Sequence, residues 1–154
     1  MLRCVPCRTP VLAPIVGAVC LLLPFATAEA GETVAGPVEA RVLRVIDGDS
    51  FVAEARVWPG HTVTVSVRIR GIDAPELRSR CAAERAAATN AREALRSLIG
   101  EGPVALTNIG GGKYYGRVLS DVMAADGRPV ATIMLSTANA RPYGGGARTS
   151  SCGD

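Results

Sequence analysis

Polar and apolar residues alternate most clearly between positions 61 and 70, where Val63, Val65, Val67 and Ile69 alternate with Thr62, Thr64, Ser66, Arg68 and Arg70. A period of two predicts a strand with one face turned inward. Two further β-rich runs, 38–45 and 50–56, flank Asp47-Gly48, a hairpin-type turn signal. Trp58-Pro59-Gly60 turns the chain into the third strand. From 80 to 99 the pattern becomes alanine-rich and helical, with Ser79 as N-cap and Gly100 as the stop. Ala87, Ala91, Ala94, Leu95 and Leu98 form its narrow apolar stripe, and small residues there allow close approach to a curved sheet. Strands follow at 104–107 and 117–123, joined by a flexible Gly110-Gly111-Gly112 loop. After an Asp126-Gly127 turn, 130–138 reads as a short second helix.

Five short strands with one main helix after the third predict a small α+β barrel, a five-stranded OB-fold. The barrel domain is expected over 38–143, with 31–37 as a linker and 144–154 as a flexible tail. The first thirty residues stand apart. Arg3 and Arg8 make a basic start, 11–25 is apolar, and small residues allow cleavage after Ala28 or Ala30. This apolar run is shorter than the ~20 residues that span a bilayer and is broken by Pro14 and Pro24. It reads as a cleaved secretory signal, which places the mature chain in the periplasm or outside the cell with no stable membrane insertion. Cleavage removes Cys4, Cys7 and Cys20, leaving Cys81 and Cys152 to pair in an oxidising compartment.

Removing Arg3 and Arg8 also brings the formal charge of +3 close to neutral, so attraction to a polyanion has to be local. The chemistry lies in three islands: Asp47-Gly48-Asp49, Arg68 with Asp73-Ala74-Pro75-Glu76, and Tyr115-Gly116-Arg117. Singly, each has an ordinary explanation as a turn, a loop start or a solvated charge. Together, crowded carboxylates call for a cation between them, and arginines beside that cation suit a multiply charged anion such as phosphate. A single histidine, His61, argues against zinc and against a histidine-based nuclease. Gly110-Gly111-Gly112-Lys113 lacks the Ser/Thr of a phosphate loop, and aromatics are too few for an extended stacking platform.

In order and spacing, Ile46-Asp47-Gly48-Asp49-Ser50, Arg68 with Asp73-Ala74-Pro75-Glu76, and Tyr115-Gly116-Arg117 closely resemble the staphylococcal-type thermonucleases over about 41–143. The resemblance implies a staphylococcal-nuclease-like OB-fold and a Ca²⁺-dependent hydrolase that cuts DNA and RNA, acting as a monomer. Asp49, Asp73 and the Ala74 backbone carbonyl would bind Ca²⁺, with Asp47 acting through water. All-oxygen ligands suit such a hard cation. Glu76 would orient or deprotonate the attacking water, and Arg68 and Arg117 would grip the phosphate. Tyr115, Tyr143 and Lys113 would contact the substrate. Replacing Arg68, Arg117 or Glu76 is then expected to cut the rate and leave the fold intact. Several positions depart from the family pattern. Ala74 stands where Thr is common, 112–117 carries an extra residue and lacks the Asp before the Lys, and 130–140 lacks the Asn-Glu and Gly-Leu of the second helix. The alternative class is a catalytically silent OB-fold module that binds nucleic acid or glycan. A calcium-stabilised envelope domain is a third. A general base at Glu76 has no use in a pure binder.

Overall fold

The computed structural model describes residues 31–100 and 102–146. The elements in chain order are β1 (Thr33–Val34), β2 (Val38–Asp47), β3 (Ser50–Trp58), β4 (His61–Ile69), β5 (Ile72–Asp73), α1 (Ala82–Ile99), β6 (Pro103–Gly111), β7 (Arg117–Met123), α2 (Val130–Ser136) and β8 (Arg141–Pro142). Strand β2 pairs with β3 and β3 with β4, both antiparallel. Strand β4 pairs in parallel with β7, and β6 then joins both β7 and β2. The ring β2-β3-β4-β7-β6 is thus closed and removes the free sheet edges. The five expected barrel strands, and the main helix after the third of them, are all present.

The barrel is filled from the inward positions of these strands, including Ala40, Phe51, Ala53, Val67, Ile69, Leu106 and Val122. Helix α1 closes one side with Ala88, Ala91, Leu95 and Ile99 buried and packs on β2 and α2. Its buried face is turned by one position from the predicted stripe: Ala87 is exposed and Ala88 buried, while Ala94 and Leu98 flank the contact. The buried face also carries Glu84. Ala86, Ala87 and Ala88 are identical side chains, so the sequence pattern does not say which of them faces inward.

Four local expectations are corrected. Part of the expected linker is strand, because Thr33 and Val34 pair with Gly110 and Ile109. That pairing, with Gly110 opposite Leu119 and Gly111 opposite Val118, draws two of the three expected flexible glycines into β6 and leaves Gly112 in the turn. The connecting turn therefore lies at 112–116. Helix α1 begins two residues late, with Cys81 at the N-cap and no side-chain cap bond. Ser79 acts from outside the helix: its Oγ accepts the Cys81 N–H at 3.2 Å and donates to Glu84 at 2.7 Å. The short pairing of β5 with β8 was not foreseen, since two-residue strands leave no periodic trace.

The predicted signal segment lies outside the described residues, and so does Cys152, the expected partner of Cys81. Among the described residues no helix is long and apolar enough to cross a membrane.

Candidate active site

The β2–β3 turn and the β4–β5 segment meet beneath α1, and Gly48 lets them meet. A Cβ at Gly48 would stand 2.6 Å from the Ala91 Cβ of α1 and 2.7 Å from the Ala74 Cβ. Its backbone is not left-handed, so glycine is required by space rather than by turn geometry. Asp49 beside it is fully buried, with one carboxylate oxygen accepting the Ala74 N–H at 2.8 Å and the other the Ser50 hydroxyl at 2.8 Å. Asp47 is half-buried, and its Oδ1 accepts the Asp49 N–H at 3.2 Å. The first two sequence islands are thus joined through Asp49.

Register brings Arg68 to the same point. In the ladder Arg68 stands opposite Ser50 on β3 and Leu119 on β7. The Ile69 N–H donates to the Asp49 carbonyl at 2.9 Å. Arg68 is buried, so the ordinary explanation of a solvated charge on the polar face of the strand does not hold for it. Its guanidinium bridges the two acids: Nη1 pairs with Asp49 Oδ1, and Nη2 lies 3.0 Å from Asp73 Oδ1 and 3.2 Å from the Ile72 carbonyl. Asp73 is as buried as Asp49, each side chain being 2% exposed. Buried carboxylates at this exposure require counter-charge, and here guanidinium supplies it.

Sequence gave no sign of the fourth member of this network. Arg141 on β8 stands in register opposite Asp73, and its Nε and Nη2 lie 3.3 and 3.1 Å from Asp73 Oδ2. It belongs to none of the three islands. A two-residue strand leaves no periodic signal in the sequence from which this pairing could be read.

In front of Arg68 opens a cleft of about 620 Å³. Asp47, Ser50, Arg68, Glu76, Lys113 and Arg117 line it together with Tyr114 and Tyr143. Arg117 is set by the 112–117 turn: its N–H donates to the Tyr114 carbonyl at 3.1 Å, and its carbonyl accepts the Gly112 N–H at 2.8 Å. The Arg117 and Lys113 charges lie 5.7 and 5.8 Å from the Tyr114 ring centre, within cation–π range. Tyr115, expected at the substrate, is fully exposed and does not line the cleft; Tyr114 stands there instead. Tyr143 is anchored by its N–H to the Gly71 carbonyl at 2.9 Å. Thus Arg68, Glu76, Arg117, Asp47, Lys113 and Tyr143 meet at one cleft, and Asp49 and Asp73 stand directly behind Arg68.

For a divalent cation, the relevant feature is the shared guanidinium. Asp49 Oδ1 and Asp73 Oδ1 both bond to Arg68, so the acids converge on one positive group. Two convergent carboxylates are suitable donors for a hard, oxygen-preferring ion such as Ca²⁺. Among the described residues no three acidic, histidine or cysteine side chains gather as a ready cage, so water and backbone oxygen would have to complete the shell.

A closed five-stranded barrel with a helix after its third strand, and an acid–arginine rim on it, defines an OB-fold of the nuclease-like or nucleic-acid-binding kind. The staphylococcal nuclease homologue family model matches residues 66–149, and the chain belongs to that family. That range includes Arg68, Asp73, Ala74, Glu76, Arg117 and Tyr143. Asp47 and Asp49 precede it and are tied to it by the Asp49 bonds to Arg68 and Ala74. A search of curated proteins gave no match.

Proposed function

We propose that this chain is an exported, Ca²⁺-dependent nuclease that hydrolyses phosphodiester bonds of DNA and RNA by in-line attack of water. The observation that carries the reading is the meeting of Arg68, Glu76 and Arg117 at one cleft with a buried acid pair behind Arg68. The bound cation would be held by Asp49 and Asp73, with Asp47 reaching it through water and the Ala74 carbonyl as a further oxygen. It would offset charge on the phosphoryl oxygens.

The chain's own residues do the rest. Arg117 enters from the 112–117 turn and Arg68 from the barrel wall, so a phosphate between them receives paired N–H donors from two sides. Such donors, fixed before charge develops, stabilise the transition state by about 3–4 kcal/mol each. Glu76 is half-buried on the lip of the same cleft and holds or deprotonates the attacking water. Tyr114 and Tyr143 give the cleft aromatic walls for a nucleotide, with Lys113 at its mouth. The signal segment accounts for export, with cleavage after Ala28 or Ala30.

Purified mature protein is expected to cut single-stranded DNA with calcium and to stop with chelator. Arg117→Ala should slow cleavage by about 10²–10³-fold, and Glu76→Gln by about 10²–10⁴-fold. Circular dichroism should show both variants folded. Binding without cutting, indifferent to chelator, would replace the enzyme with the silent binding module. N-terminal sequencing of the exported chain tests the leader, and a start at Met1 would refute cleavage.

A further inference from the structure

Arg141 divides the Asp73 carboxylate with Arg68. Asp73 Oδ1 takes Arg68 Nη2 at 3.0 Å, while Oδ2 takes the Arg141 fork at 3.1 and 3.3 Å. The two guanidiniums face different spaces. Arg68 lines the main cleft beside Arg117 and Glu76. Arg141 and Asp73 line a separate hollow of about 150 Å³ with Pro75 and Asn139, and the two spaces share no lining residue. Arg141 is therefore not placed to touch a phosphate in the main cleft. Backbone pairing of β8 with β5 sets it in register opposite Asp73.

We propose that Arg141 is a positioning residue that locks the Asp73 carboxylate and holds down its affinity for a divalent cation, and that the cation displaces Arg68 rather than Arg141 from the acid pair. This rests on the calcium-nuclease reading above. An incoming dication needs the oxygens on which the two acids converge, and those are the ones Arg68 holds. Arg68 lines the cleft, where a substrate phosphate would receive it, whereas Arg141 lines the separate hollow. Arg141 keeps Oδ2, which stops the carboxylate rotating as Arg68 leaves. Its fixed charge, a few ångströms from the cation, opposes binding. Calcium occupancy and the release of a phosphate-binding arginine become one event.

The test is calcium affinity by titration calorimetry at low ionic strength on wild type, Arg141→Gln and Arg141→Lys. Glutamine keeps a donor for Oδ2 and drops the charge, so calcium should bind about tenfold more tightly, as expected for removing a unit charge about 6 Å from a dication in a water-like dielectric. Lysine keeps the charge and should stay within about threefold of wild type. A structural role alone would lower the melting temperature of both variants and leave affinity unchanged. Unchanged or weaker binding by the glutamine variant overturns the proposal, as does a lysine variant that tightens equally. If the glutamine variant does not fold, a tenfold change in either direction for lysine overturns it. Wild type that binds and cuts with calcium while Arg141→Gln stays the same would sink this inference alone. Wild type that binds no calcium would sink the calcium reading as well.

Discussion

Arg68 has to satisfy two carboxylates that are almost entirely withdrawn from water, and its own side chain is only 10% exposed. Truncating it leaves both acids without that counter-charge. Losing one partner of a buried pair costs about 3–5 kcal/mol, so Arg68→Ala in calcium-free buffer should lose about that much in urea unfolding. The sequence-based expectation of an intact fold therefore does not extend to this residue. Calcium should restore part of the loss, whereas Arg117→Ala, whose residue is half-buried at the cleft, should show little loss in either buffer. Gly48 is the second sensitive position. Its missing Cβ is the gap into which Ala91 and Ala74 fit, so Gly48→Ala should cost about 1–3 kcal/mol by overpacking. The residue types at the site were legible because acids, arginines and their spacing are chemical facts of the chain. The burial of Arg68 was not, because a period of two assigns a face without saying whether solvent reaches it.

Among the elements, α2 ends in a Schellman motif. The Asn139 N–H donates to the Met134 carbonyl at 3.1 Å and the Ala138 N–H to that of Leu135 at 3.2 Å. Ala138 takes the left-handed position with φ +53°, where a glycine is favoured and the family's Gly-Leu is missing. Ala138→Gly should therefore stabilise the protein by up to about 1 kcal/mol, read as a higher midpoint in thermal melting. The Asp126-Gly127 turn shows the opposite case, a turn visible from composition and held as expected. The Arg128 backbone N–H lies 3.1 Å from one Asp126 oxygen and its Nε 2.6 Å from the other. That backbone bond first, then the side chain, lowers the Asp126 carboxyl below the usual carboxylate range. A depressed folded-state value adds stability above the ordinary pKa near ~3.9, and this is lost as pH falls through the folded value. The small stability gap between wild type and Asp126→Asn should thus close in acid, seen by denaturant unfolding at pH 6 and pH 2. Long periodic strands were legible in advance; β1, β5 and β8 were not, because two residues carry no period and gain their partners only by tertiary pairing.

At the level of the whole molecule, barrel closure is what turns three distant islands into one rim. The parallel β4–β7 pairing sets Ser66 opposite Arg117, while β3–β4 sets Ser50 opposite Arg68. Arg68 and Arg117 are thereby brought to the same cleft by register alone. If calcium enters this rim only in the native state, it should raise the melting temperature, by an amount worth about 2.7 kcal/mol at a hundred times its dissociation constant. A melting curve with calcium and with chelator checks this, and coincident curves would count against the metal reading.

The Asp73–Arg141 clasp spans 68 positions and is made on a ladder two residues long. Every barrel strand precedes Arg141 in the chain. The wall can therefore close before the Asp73 carboxylate receives this second guanidinium, which arrives only when the segment after α2 returns to β5.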